Sequence, residues 1–219
     1  MASLTIENYI KTIYQVCSSQ GKPVASTGEL ATALGVHPST VTSMLKALSE
    51  AGLVYYKPYE GVSLTESGRL LAMRVIRRHR LLELFLVRTL NLSWDEVHDE
   101  AEELEHAVSD LLIDRIDAYL GHPECDPHGD PIPKADGSIR SQGGRLLSEW
   151  SVERPFTLVR VLDQSPEFLR YCAGLGLQPG VAGCVTRKSE EAGIIVVSIG
   201  GEEAVLGTEA ARKLLVAAQ

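Results

Sequence analysis

The chain has 219 residues, 44% hydrophobic and 23% charged, with a formal net charge of −8. That balance excludes wholesale disorder, and at roughly 100–200 residues per domain the length allows one large domain or two to three small ones. The charge is uneven: residues 1–78 hold 8 basic and 5 acidic side chains (net +3), residues 79–150 hold 6 and 16 (net −10), and residues 151–219 hold 7 and 8 (net −1), so the first third suits an anionic polymer and the middle suits cations.

Residues 4–17 read as a helix with Leu4, Tyr9, Ile13 and Val16 on its apolar stripe and Thr5 as a candidate N-cap. Gly21-Lys22-Pro23 breaks the chain, and Ser26 or Thr27 starts a short helix that Gly35 ends. Pro38-Ser39-Thr40 opens another helix with Val41, Leu45 and Leu48 on one face. Leu53–Lys57 and Val62–Leu64 alternate like strands around a Pro-Tyr-Glu-Gly turn. Helix, tight turn, helix and β-hairpin in that order describe a winged helix-turn-helix. A long helix is expected from Thr65 to about Leu90, and another over about 94–120, opened by a Ser93-x-x-Glu96 capping box. Their apolar surface exceeds what local packing needs, which points to a homodimer interface. Residues 121–151, with Pro123, Pro127, Pro131, Pro133 and five glycines, read as irregular linker. Strands at Phe156–Leu162, Gly183–Arg187, Ile194–Ile199 and Glu203–Val205, and helices at Pro166–Leu175 and about Thr208–Val216, complete a small β-rich domain. The expected fold is mainly α with a small β domain. Its segments are 1–73 for DNA binding, 74–140 for metal and dimerisation, 141–154 as linker and 155–219 as β domain.

Apolar runs such as Ile194–Val197 fall far short of the ~18 residues a membrane span requires, so no membrane partner is expected. Residues 1–16 show no signal-peptide pattern, and Cys17, Cys125, Cys172 and Cys184 show no C-x-x-C spacing. A cytoplasmic protein with reduced thiols is the expectation.

A helix-turn-helix places the N-terminal part of its second helix against base edges in the major groove. Here that helix offers Pro38, Ser39, Thr40, Thr42, Ser43 and Lys46, with Thr27, Tyr56 and Lys57 nearby for the backbone. These small and hydroxylic side chains suit phosphate and thymine-methyl contacts better than guanine reading, so DNA shape is expected to contribute heavily.

The acidic middle is more specific. His79 and Glu83 are i, i+4 on one helix. At about 100° per residue, with His98 at 0°, Glu102 falls at about 40°, Glu105 at about −20° and His106 at about 80°. Two carboxylates and two imidazoles on one stripe repel unless a cation collects them. His122, Cys125 and His128 make a weaker zinc reading, with no clear fourth ligand. A metal-independent winged-helix regulator sensing an organic ligand, and a metal-dependent hydrolase, are the rival functions.

The helix-turn-helix, the runs Arg78-His79-Arg80-Leu81-Leu82-Glu83 and Val97-His98-Asp99-Glu100-Ala101-Glu102-Glu103-Leu104-Glu105-His106, and Pro127-His128-Gly129-Asp130-Pro131-Ile132-Pro133 resemble the diphtheria toxin repressor family of metal-activated dimeric repressors. The resemblance spans nearly the whole chain; Leu175–Gly180 is similar to that family's SH3-like, FeoA-type third domain. It implies a first metal site of Asn8, Glu102, Glu105 and His106. The second would use His79, Glu83 and His98, completed by Gln164 and Glu167. Glu102 stands where iron-responsive members carry Cys, so the resemblance favours Mn2+ over Fe2+, with Co2+, Ni2+, Zn2+ or Cd2+ as substitutes. Lys11 stands where some manganese-responsive members carry a carboxylate ligand, which argues against copying their two-ion cluster. The implied partner is a palindromic double-stranded DNA operator with half-sites roughly 34 Å apart. The implied mechanism has a loosely held first helix that metal fixes in place.

Overall fold

A computed structural model describes residues 3–140 and 143–219; Ser141 and Gln142 of the expected linker lie outside the described residues. The chain forms two compact units. One holds the residues up to His79 with 104–108 and 133–139, the other 80–103, 109–132 and 140–219.

In the first unit, α1 (Leu4–Gln20) is capped by Ser3 and stopped by Gly21 in the left-handed region. Ser3 displaces Thr5 as the cap because its hydroxyl accepts the Ile6 N–H. The buried stripe is Tyr9, Ile10 and Ile13, while Leu4 is exposed. In α2 (Thr27–Leu34), Ser26 and Glu29 form a reciprocal capping box that satisfies two helix-end donors. Helix α3 (Pro38–Glu50) has Pro38 in its first turn and buries Val41, Leu45 and Leu48, as the periodicity requires. Strands β1 (Val54–Lys57) and β2 (Gly61–Leu64) pair antiparallel, Val54 opposite Leu64 and Lys57 opposite Gly61. Ala25 bridges to Val62, which ties the hairpin to the start of α2. Helix α4 (Glu66–Leu90) follows; it is buried on most of its faces, with Ala72, Val75, Ile76, Leu81, Leu82 and Leu86 interior and His79 and Glu83 buried one turn apart.

The helix expected over 94–120 is two: α5 (Val97–Glu105) and α6 (Asp110–Tyr119). Ser109 sits in an extended conformation and accepts from Leu112 N, so a new helix starts where a continuous one was expected. Ser93 still meets Glu96, whose carboxylate accepts from its hydroxyl at 2.5 Å and its amide at 3.3 Å, but the next residues make a turn before α5 begins.

The second unit carries an SH3-like, six-stranded antiparallel sheet in the order β3-β8-β4-β5-β6-β7. The strands are β3 (Arg145–Leu146), β4 (Pro155–Val161), β5 (Ala182–Ser189), β6 (Ile194–Ile199), β7 (Glu202–Gly207) and β8 (Leu214–Ala217). Helix α7 (Pro166–Gly174) and a single turn, α8 (Thr208–Ala211), close the core with Phe156, Leu158, Leu169, Cys172, Val197 and Leu214. Burial pushes the Cys172 thiol up to about 11, so it is a small hydrophobe rather than a nucleophile. Two expectations change here. Residues 214–217 are strand, not helix, because Leu214 and Val216 alternate into the core. Arg145–Leu146 joins the sheet, and Leu147 and Trp150 are buried in its core, within the stretch expected as linker.

The loop before β4 is sewn to that strand. Asp126 Oδ1 accepts from the amides of His128 (2.8 Å) and Asp130 (2.9 Å), and Val161 N donates to His128 O at 2.9 Å. Gly129 makes this approach possible: its φ is +87°, and a Cβ there would lie 2.0 Å from Val159 O. Gly129→Ala is therefore expected to destabilise the protein by at least about 2 kcal/mol, read as a lower denaturant midpoint with an unchanged slope.

Candidate functional site

In the first unit the site is built by α1 against residues 105 and 106. Glu105 is wholly buried and meets Lys11, His79 and His106. Lys11 Nζ lies 2.9 and 2.8 Å from its two carboxylate oxygens, and His79 Nδ1 lies 2.7 Å from Oε2. Lys11 Nζ is also 3.3 Å from His79 Nδ1. Beside this, His106 Nδ1 is 2.7 Å from Glu7 Oε2, and Arg78 reaches the other Glu7 oxygen at 3.6 Å. A carboxylate only accepts, so His106 donates from Nδ1 to Glu7. That Nε2 is buried without a hydrogen bond, although Glu105 Oε1 stands 3.3 Å away. Asn8 Oδ1 is likewise buried and unbonded. A carboxylate that orients an imidazole whose other nitrogen faces a carboxylate is the arrangement metal sites use. The sequence reading missed Glu7. Its spacing of four from Lys11 on α1 was the available signal, but nothing in a sequence says what α1 faces.

Helix α1 is tied to residues 105 and 106 by Lys11 and Glu7.

In the second unit, Glu83, Asp126 and His128 bring ligand atoms within 4.8 Å of one another, and all three are buried. His128 Nε2 is 2.7 Å from the Trp94 carbonyl oxygen and must donate to it, which turns Nδ1 toward Glu83 and Asp126. Nδ1 is buried without a hydrogen bond, 3.8 Å from Glu83 Oε2 and 3.9 Å from Asp126 Oδ1. The Trp94 indole stacks on the ring at 5.9 Å and fixes its plane. Burial pushes the Asp126 carboxyl well above the usual range, with Glu83 and Asp130 adding and Arg80 opposing. His98 Nδ1 lies 3.4 Å from Glu83 Oε1, and His98 Nε2 lies 3.9 Å from Glu102. The sequence reading had completed this region with Gln164 and Glu167. The structure does not bring them there: Gln164 donates to Asp130 at 2.5 Å and Glu167 is exposed in the first turn of α7. The weak zinc reading also separates. His122 is exposed and paired to Asp117 at 2.9 Å, whereas His128 is interior.

The residues expected to face DNA lie on α2, α3 and the hairpin of the first unit. Ser39, Thr40, Ser43 and Lys46 are exposed on α3, and Pro38 opens it. Thr42 and Ser43 donate to the carbonyls of Pro38 and Ser39, so their hydroxyl oxygens present lone pairs outward. A cleft of about 790 Å³ runs between helices and hairpin, lined by Thr27, Thr42, Lys46 and Tyr56 and also by Lys22 and Tyr59. Lys57 is exposed and pairs with Glu60 at 2.5 Å. Lys22 is the cation the sequence reading left as part of a break.

Residues 1–62 match the family described as iron dependent repressor, N-terminal DNA binding domain, and residues 65–134 match its metal binding and dimerisation domain. The chain is 38% identical over 118 residues to an HTH-type transcriptional regulator of Methanocaldococcus jannaschii, covering 54% of this chain and 94% of that protein. It belongs to the iron-dependent, or diphtheria toxin, repressor family. Residues 145–218 match the FeoA domain. MntR of Bacillus subtilis is 36% identical over 126 residues, covering 58% of this chain and 87% of that one. The iron-dependent repressor IdeR of Mycobacterium tuberculosis is 36% identical over 129 residues, covering 59% and 55%. A solved manganese-dependent transcriptional repressor in complex with manganese superposes with TM-score 0.88 at 45% identity, over 97% of this chain and 99% of that one. Among the described residues no helix is long and apolar enough to cross a membrane.

The buried charges of the second unit set a stability test. Arg80 lies 3.6 Å from both Asp126 and Asp130 and donates to Pro131 O, so Arg80→Met removes the cation facing buried Asp126, while Asp130 keeps Arg160. It is expected to cost about 3–5 kcal/mol. Asp126→Asn keeps the two amide contacts of the loop and removes a buried charge, so the metal-free protein should melt at or above the wild-type temperature.

Proposed function

We propose that the protein is a dimeric, metal-activated, DNA-binding repressor of metal-homeostasis genes, working in the cytoplasm as a binding switch and not as an enzyme. The observation that carries this is the pair His106 and His128. Each donates from one ring nitrogen and holds the other buried, unbonded and beside carboxylates, in a chain that opens with a winged helix-turn-helix. Unsatisfied buried nitrogens of that kind fit a divalent ion.

The first site is Asn8, Glu102, Glu105 and His106. Glu102 and Glu105 stand nearly one turn apart on α5, and His106 follows. The second is Glu83, Asp126 and His128, with His98 adjacent. His79, which the resemblance places with Glu83 and His98, stays a candidate ligand of this site, whereas Gln164 and Glu167 are left out on their contacts above. All donors are oxygen or nitrogen, which suits Mn2+; the 45% identical manganese-dependent repressor supports the same ion, and Fe2+ is the alternative. A bound ion supplies two positive charges to each acidic cluster. Around it, Glu7 holds the His106 ring, the Trp94 carbonyl holds the His128 ring, and α1 carries the effect into the helix-turn-helix core through Tyr9, Ile10 and Ile13. We assign DNA reading to residues 1–73, metal binding and dimerisation to 74–140, and the β domain to the residues from Arg145 onward. Thr27, Pro38, Ser39, Thr40, Thr42, Ser43, Lys46, Tyr56 and Lys57 face a palindromic operator.

The test is a titration of double-stranded DNA, selected from a random pool by Mn2+-loaded protein, at fixed salt. Affinity should fall by at least about tenfold in chelator, and equal affinity would overturn the proposal. Lys46→Ala should weaken binding to all sequences alike and lower the log–log salt slope by about 1.

A further inference from the structure

We propose that Lys11 is a resident cation of the first metal centre. Its ammonium takes the cation position between Glu105 and His79 Nδ1, so this centre accepts one divalent ion. The inference rests on the metal reading above.

The ammonium touches both oxygens of Glu105, at 2.9 and 2.8 Å, and lies 3.3 Å from His79 Nδ1. A chelating carboxylate with an imidazole nitrogen beside it is how proteins collect a cation. Here the cation is covalently part of α1. Lys11 is 4% exposed, Glu105 0% and His79 6%, so water screens the position weakly. One turn before Lys11 on the same helix, Glu7 takes the Nδ1 side of His106. The helix thus offers a positive group to Glu105 and a negative group to His106. What it leaves open is His106 Nε2, buried and unbonded, 3.3 Å from Glu105 Oε1. That opening has room in its donor set for one ion. A second ion at the Lys11 position would sit against a buried positive charge, and repulsion of like charges at contact in the interior excludes it. A buried salt bridge that was only structural would support the fold equally with and without metal.

The experiment counts Mn2+ per protomer by equilibrium dialysis and elemental analysis on the full chain, for wild type, Lys11→Glu and Lys11→Met. The second centre is common to all three, so differences report the first. Lys11→Glu should bind one more Mn2+ per protomer than wild type. Lys11→Met should keep the wild-type count and bind Mn2+ at least about tenfold more tightly, because a nearby positive charge is gone. Its metal-free form should melt several degrees lower, on the order of 2–8 °C, and saturating Mn2+ should close that gap. An unchanged count in Lys11→Glu overturns the proposal. So does a loss of melting temperature in Lys11→Met that Mn2+ leaves in place. If Lys11→Glu does not fold, the affinity and melting of Lys11→Met decide alone. Wild-type protein that binds no Mn2+ defeats the metal reading itself, whereas Mn2+ binding with an unchanged count defeats only the role of Lys11.

Discussion

Carboxylates without exposed surface must be neutralised, and the chemistry of this protein grows from how each is met. Glu105 is met by Lys11 and His79, and Glu7 by His106 and Arg78. Asp126 and Asp130 are met by Arg80, and Asp130 also by Arg160. The interior dielectric makes these pairings strong and makes any shortfall expensive. Where protein cations fall short, the burial-raised Asp126 carboxyl and the unbonded nitrogens of His106 and His128 remain. A divalent ion is the group that completes such a set.

The same helix carries both halves of the proposed switch. On α1, Tyr9, Ile10 and Ile13 pack into the helix-turn-helix core, while Glu7 and Lys11 meet residues 106 and 105. A change in charge at Glu105 or His106 is therefore felt by a helix that also supports α3. Lys11 and Glu7 join α1 to residues 105 and 106, so in the proposed switch a charge added there bears on the arrangement of α1.

The loop over 126–130 shows how the second cluster depends on backbone. Asp126 uses one oxygen to cap its own loop, Gly129 lets the loop reach Val159, and the Trp94 carbonyl sets the tautomer of His128. Each step is ordinary loop chemistry. Together they place a carboxylate and an imidazole from a Pro-rich stretch against Glu83.

Much of this was legible in the sequence. Periodicity placed α1 to α4, Ser26 and Gly35 bounded α2, and the one-face spacing of His98, Glu102 and Glu105 on α5, with His106 just beyond its end, is the pattern the metal proposal starts from. Local signals also misled: the capping residue Ser109 split a helix that apolar content suggested was continuous, and Leu214–Ala217 is strand. What the residues determined by themselves are relations within one helix or one turn, because those distances follow from a fixed rise and rotation. Only the tertiary structure decided that Glu7 orients His106, that Lys11 sits on Glu105, and that Asp126 and His128 join Glu83 while Gln164 turns to Asp130. Those partners lie 34 to 99 residues apart in the chain or come from an irregular loop, and no local periodicity encodes contacts that packing alone creates.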